Sequence, residues 1–366
     1  MKFSQIKKVF CLAIWVIPLF ASSQTFRDLD KVFKSEMDNG FNGNVLYSKD
    51  DAVLYTGNFG IINYRSRLPL NDSTIFNLAS CSKQFTALAI MQLVEKGKLS
   101  LDTKVDEVLN FPYREVTIQQ LLNHTSGLPD YMDFEDYADD IEILTNAHVL
   151  DYIRHNQPQP NFSPGKQFEY SNTGYLVLGS IIEEVTGLSF ASYLKENIFE
   201  PTGMKNSLVL RRRYEPQRID NCTEGHVFSN NIYMTIPIDD DPDSEYVKWF
   251  DGIVGDGTVN STILDMEKWK RALRNNKLIT EESKQMMFEV GGAASDYGFG
   301  FRIETDKWLG KMITHSGSWG GYRSLTMYLP KTNEYFVLLG NTEYEEMDKL
   351  LNEMIEITGE MAGAGF

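Results

Sequence analysis

Segments with the residue preferences of β-strands lie at the two ends of this chain, with most of its 366 residues between them. Near the start, Gly43-Asn44-Val45-Leu46-Tyr47 and Ala52-Val53-Leu54-Tyr55 flank the polar Lys49-Asp50-Asp51, the pattern of a β-hairpin. Near the end, residues 298–303, 311–315, 322–328 and 335–339 are short runs rich in aromatic and β-branched side chains. Their connections are too short to hold crossover helices, so the spacing predicts an antiparallel sheet. Between the two ends the periodicity is helical. Residues 80–99 carry Phe85, Leu88, Ala89, Ile90, Leu93 and Val94 around most of a helix, which predicts a buried element stopping at Gly97. Further helices are expected over 175–185, 190–199 and 345–357.

An α+β fold follows: an antiparallel sheet built from both termini, with flanking helices and a helical lobe inserted in its middle. The expected organisation is one catalytic domain from 24 to 366. Its α/β lobe takes about 24–80 and 256–366, its helical lobe about 81–255, and a ligand cleft lies between them. A hydrophobic content of 42% suffices for such a core. Residues 1–23 stand apart. Lys2, Lys7 and Lys8 precede an apolar run from Val9 to Ala21, and the small residues Ala21-Ser22-Ser23 close it. That is the pattern of a secretory signal peptide, which predicts an exported, periplasmic or secreted protein with no stable membrane span after cleavage. Beyond the leader only Cys81 and Cys222 remain, too few for a disulfide framework. A net charge of −16 argues against a nucleic-acid partner.

Several chemistries are excluded by absence. There is no Gly-x-Ser-x-Gly elbow, no His-Glu-x-x-His, no P-loop and no Gly-x-Gly-x-x-Gly, and the five histidines lack metal-ligand spacing. What remains is Ser80-Cys81-Ser82-Lys83. On a helix, positions i and i+3 share a face, so Lys83 can reach the Ser80 hydroxyl and act as the base that an alcohol nucleophile requires. Ser-x-x-Lys also occurs at Ser4, Ser163 and Ser192, but only the Ser80 copy opens a long apolar helix. Tyr170-Ser171-Asn172 is the one Tyr-x-Asn of the chain and His315-Ser316-Gly317 the one His-x-Gly. A phenol near cations can serve as a base, an amide can grip a carbonyl, and a partly charged imidazole can attract a carboxylate. Taken singly, a Tyr-x-Asn is usually a helix start, a lone strand histidine is usually structural, and Ser-x-x-Lys arises by chance.

Ser-x-x-Lys, Tyr-x-Asn and His-x-Gly in this order resemble the penicillin-recognising serine hydrolases, in particular the class C β-lactamase and D-alanyl-D-alanine carboxypeptidase branch. The resemblance runs from about Gly43 to Asn341. It includes Leu121-Leu122-Asn123-His124-Thr125-Ser126-Gly127-Leu128, residues 162–175, 198–204 and Gly255-Asp256-Gly257. It implies a β-lactamase/transpeptidase-like fold and catalysis without metal or organic cofactor on a small-molecule or short-peptide substrate. Ser80 would be acylated, Lys83 would activate it, and Tyr170 would pass protons to the leaving group and from the deacylating water. Asn172 would hold the substrate amide, His315 and Gly317 would line the substrate strand, and the N–H groups of Ser80 and Ser318 would form the oxyanion hole. Trp319 and Tyr322 are expected at the pocket. His315 stands where many relatives have Lys, which weakens the fixed charge for a substrate carboxylate. Cys81 reads as packing and His124 as structural. The function expected is ester or amide hydrolysis, on D-amino-acid peptides or β-lactams. The alternatives are a carboxypeptidase of cell-wall peptides and a penicillin sensor without turnover.

Overall fold

The computed structural model describes residues 17–134, 137, 141–294 and 296–361. Of the leader expected over 1–23, residues 1–16 lie outside the described residues. The main helices are α1 (Ile17–Met37), α2 (Lys83–Glu95), α3 (Ile118–Leu122), α4 (Asn172–Thr186) and α5 (Met347–Met361). Six strands form the main sheet: β1 (Gly43–Lys49), β2 (Ala52–Phe59), β3 (Arg302–Asp306), β4 (Gly310–Trp319), β5 (Tyr322–Leu329) and β6 (Glu334–Gly340).

Their spatial order is β2-β1-β6-β5-β4-β3, with every pair antiparallel. The two ends of the chain meet where Gly43 lies opposite Gly340 and Lys49 opposite Glu334. The hairpin turn uses Asp50 and Asp51, both at positive φ (51° and 62°). Asp tolerates that conformation, and it matches the twist of the flanking strands. The strand expected over 298–303 begins only at Arg302. Upstream the backbone bonds locally instead, with Gly298 N–H donating to Phe301 O and Phe299 N–H to Met287 O.

Both faces of the sheet are covered. Val45, Tyr47, Leu325, Phe336 and Leu338 pack with Leu29 and Phe33 of α1 and Leu350 and Met354 of α5. On the other face Leu46, Ile313, Val337 and Leu339 join a larger core with Phe85 and Leu88 of α2. Full burial of one such aliphatic side chain is worth about 1.5–3 kcal/mol. The double covering explains why β6 is buried from end to end and reads as a continuous apolar run, without the alternation of a one-faced strand. A second, three-stranded sheet of Phe76–Asn77, Leu208–Val209 and Val259–Ser261 joins the main sheet to the helical elements. The helix expected over 190–199 changes at Lys195 from an α-helix to a π-turn.

Candidate active site

The edge of that small sheet delivers Ser80. Asn77 Oδ1 accepts the Ala79 N–H at 2.7 Å, and Ala79 takes φ 46°, a conformation that costs a residue with a side chain roughly 1–2 kcal/mol. Ser80 follows in a 3₁₀ turn, Ala79–Ser82, and α2 begins only at Lys83. The single helix expected from residue 80 is thus replaced by a tighter entry. Leu78 O explains it, since this one carbonyl receives both Cys81 N–H (3.0 Å) and Ser324 Oγ–H (2.6 Å) and draws the turn onto β5.

Lys83 is fully buried at the start of α2. Its Nζ donates to Asn172 Oδ1 (2.8 Å) and Asp256 O (2.8 Å) and lies 3.2 Å from Ser80 Oγ. The ring of Tyr170 lies beside it, with 4.9 Å from Nζ to the ring centre. The phenol oxygen of Tyr170 is buried and has no hydrogen-bond partner among the described residues. Asn172 opens α4 and is held from behind: its N–H (2.7 Å) and Nδ2 (3.0 Å) both donate to Asp130 Oδ2. Asp130 Oδ1 in turn accepts Met132 N–H at 3.1 Å, and the neighbouring Tyr131 gives its hydroxyl to Asp256 Oδ2 at 2.9 Å. Burial raises the carboxyl groups of both Asp130 and Asp256 above the usual range, and the Lys83 charge partly offsets this.

The opposite wall is β4. Strand alternation turns His315 and Gly317 inward and leaves Ser316 and Ser318 exposed. His315 is therefore 2% exposed, and its ring is satisfied at both nitrogens by Ser316 O (2.6 Å, Nδ1) and the Tyr297 hydroxyl (2.7 Å, Nε2). Burial, reinforced by the nearby Lys83 charge, holds its pKa at about 3. The depressed pKa and the two ring partners run against the partly charged imidazole expected here, while the ring still lines the groove beside Ser80. Gly317 lines the groove as expected and has a packing role besides. A Cβ there would lie 2.5 Å from Leu78 O, 2.5 Å from Ser324 Oγ and 2.9 Å from Ser80 N, so the glycine admits the nucleophile turn itself against the strand. Ser318 faces the cleft, and its Oγ accepts a bond from Arg323 Nη1 on β5.

Around Ser80 the cleft has two compartments. A cavity of about 130 Å³ is lined by Ser80, Asn172, Met132, Leu210, Phe250 and Trp319, among others. Trp319 is at the pocket as expected; Tyr322 is not, being buried with its hydroxyl on Thr223 O at 2.7 Å. The second compartment, an open groove of about 340 Å³, is lined by Ser80, Tyr170, His315, Gly317 and Ser318, with the cations Arg302 and Arg323 and the carboxylates Glu345 and Asp348 along it. Arg302 is paired with Asp296 at 2.7 Å, whereas no carboxylate among the described residues pairs with Arg323. Cys81 is fully buried, with its thiol pushed up to about 12 by burial, and is not bonded to Cys222. It packs and does not react.

Sequence reasoning missed Asp130, Tyr131, Asp256 and Arg323. Asp130 follows Gly127-Leu128-Pro129, a turn pattern, and nothing local announces that the turn folds back onto α4. Asp256 sits between two glycines, a signal of close backbone approach that assigns the carboxylate no role. Arg323 was detectable, as a cation interrupting an apolar strand beside the His-x-Gly segment.

Residues 29–358 match the profile of the family described as Beta-lactamase. The chain belongs to the beta-lactamase family. Penicillin-binding protein 4* of Bacillus subtilis (strain 168) is 39% identical over 316 residues, 84% of this chain and 70% of that protein. Among solved structures, the octameric penicillin-binding protein homologue from Pyrococcus abyssi superposes with a TM-score of 0.77 at 28% identity, covering 92% of this chain and 77% of that one. D-amino acid amidase from Ochrobactrum anthropi SV3, solved with D-phenylalanine, shares the fold at a TM-score of 0.75 and 22% identity, over 93% and 99% of the two chains. This beta-lactamase family member is a serine hydrolase with the β-lactamase/transpeptidase-like α+β fold.

Proposed function

We propose that the protein is exported and cleaves an ester or amide bond through an acyl-enzyme on Ser80. One observation carries the reading: two hydrogen-bonding directions of Lys83 Nζ end on carbonyl oxygens, and the third faces Ser80 Oγ at 3.2 Å. In the neutral amine that third direction is a lone pair. Ser80 gives it a proton while Oγ bonds the substrate's carbonyl carbon, and the oxyanion formed is met by the N–H groups of Ser80 and Ser318. One such donor contributes about 3–4 kcal/mol. Tyr170 relays the proton to the departing nitrogen or oxygen as its bond to carbon breaks. In the second half it takes a proton from the attacking water, and Oγ leaves with a proton to regenerate the enzyme. Its unpartnered, buried phenol beside Lys83 supports this role. Asn172, oriented by Asp130, presents the remaining capacity of its amide to the substrate.

The two compartments support an apolar acyl side chain on one side of Ser80 and a polar or anionic end on the other. A D-amino-acid peptide or a β-lactam has that shape, and the names of the penicillin-binding relative and of the amidase agree with it. The unpaired Arg323 favours a second, narrower reading as a carboxypeptidase of cell-wall peptides, whose substrates end in a free carboxylate. Export rests on the basic and apolar pattern of residues 1–23. The test is labelling by a fluorophosphonate and by a fluorescent penicillin, in wild type and Ser80→Ala, followed by turnover of p-nitrophenyl esters and D-Ala-D-Ala peptides. Loss of label in Ser80→Ala with turnover in wild type is expected. Label that is independent of Ser80 refutes the acyl-enzyme, and stable label without turnover indicates a sensor.

A further inference from the structure

His124 follows α3 in the left-handed region, φ 57°, at the position after a helix where glycine or asparagine ordinarily stands. Keeping a larger side chain there costs about 1 kcal/mol or more. What the side chain does is therefore informative. His124 is 1% exposed. Its carbonyl oxygen accepts the N–H of Glu169 at 3.0 Å and its Nδ1 accepts the N–H of Ser171 at 3.2 Å. These are the two residues flanking Tyr170, so one histidine holds the backbone on both sides of the phenol. Its ring also stacks on the Tyr170 ring, with centroids 4.3 Å apart and planes at 32°.

The same imidazole is fixed from behind. It packs at 4.5 Å and 69° against Tyr297, whose hydroxyl meets His315, and at 5.1 Å against Tyr175. Because Nδ1 accepts a hydrogen bond, the ring proton of the neutral form is on Nε2, which has no hydrogen-bond partner among the described residues. Protonation of Nδ1 would remove the acceptor for Ser171. Burial, with the nearby charge of Lys83, lowers the pKa of His124 well below its usual value, which protects the acceptor.

We infer that His124 is the positioning residue of Tyr170, holding the phenol beside Lys83 and Ser80 by gripping both flanking peptides and the ring. The inference rests on the proton-relay reading of Tyr170 above. It explains why a histidine occupies a left-handed position: no glycine could supply the Nδ1 acceptor and the stacking face together. His124 touches no reacting atom in this account.

A double-mutant cycle tests it, with kcat measured per fluorophosphonate-titratable Ser80 so that misfolded enzyme does not count. His124→Asn suits the positive φ and can keep an acceptor near Nδ1, while His124→Phe keeps the ring and loses the acceptor. In the wild-type background His124→Phe should lower kcat for an amide substrate roughly 10–100-fold with KM little changed, and His124→Asn should recover part of that loss. In a Tyr170→Phe background the same two substitutions should change kcat less than about threefold, because nothing remains to be positioned. Equal losses in both backgrounds, or no loss in either, overturn the inference. If Tyr170→Phe alone loses less than threefold, the relay reading has failed and takes the inference with it. Should His124→Phe not fold, the comparison of His124→Asn across the two backgrounds decides alone.

Discussion

Lys83 Nζ sits 3.2 Å from Ser80 Oγ while carbonyl oxygens of Asn172 and Asp256 hold its other two directions at 2.8 Å. The amine is thereby aimed: it cannot swing from the serine without giving up both of these hydrogen bonds. Lys83→Arg retains the charge but offers no lone pair, because a guanidinium stays protonated. Its acylation rate should fall by 10²–10⁴-fold, the span of a positioned base. Stopped-flow labelling with a chromogenic ester measures this, and a loss below tenfold would mean Ser80 is activated by another group.

Gly317→Ala separates packing from substrate access. Its Cβ would meet Leu78 O at 2.5 Å and Ser80 N at 2.9 Å, backbone atoms that cannot yield without moving the nucleophile turn. Destabilisation of about 1–3 kcal/mol is expected, with fluorophosphonate labelling slowed at least tenfold. Thermal melts and labelling rates report the two effects. A variant as stable and as reactive as wild type would show that the turn is not held by this contact.

Charge recognition should follow Arg323 and not His315. For substrates ending in a carboxylate, Arg323→Gln should lower kcat/KM by roughly 10–100-fold, the worth of a hydrogen bond to a charged group, with neutral esters little affected. The neutral, doubly bonded His315 predicts no change in the anionic-to-neutral kcat/KM ratio across the ordinary histidine range. A ratio that falls as pH rises from 5 to 8 in wild type and not in His315→Gln would restore a charged imidazole.

Acid should unfold the protein through the same burial. Burial holds His315 at about 3 and His226 at about 4, below the ordinary 6.5, while bonds from Asn39, Lys349 and Tyr344 hold Glu36 at about 2, below 4.5. In each case the folded form binds the proton less readily than the unfolded form. The stabilisation is complete above the ordinary pKa and is lost as pH falls through the folded value. Calorimetric Tm should therefore decline from about pH 6.5 towards pH 3, and less steeply in His315→Gln. A decline of equal slope in that variant would exclude His315 as a contributor.

The sheet was legible in the sequence because its strands are short runs of β-formers separated by turns, and because only an antiparallel arrangement fits their spacing. Ser80, Lys83, Tyr170 and Asn172 were legible as well, through residue types at characteristic separations. Local pattern also suggested that Cys81 is packing, which its burial bears out.

What the amino-acid order determined is therefore most strands of the main sheet, their antiparallel pairing, several of the helices, and which residue types are available for chemistry. What only the tertiary structure decided is the state in which those residues work. The pKa of His315 is lowered because the folded chain buries it, and Lys83 is aimed because Asn172 and a carbonyl 173 positions further along converge on it. Arg323 stands in the groove opposite Ser318 because β5 pairs with β4, and no carboxylate among the described residues pairs with it. Burial and hydrogen-bond partnership come from contacts between distant segments, and no local spacing carries that information.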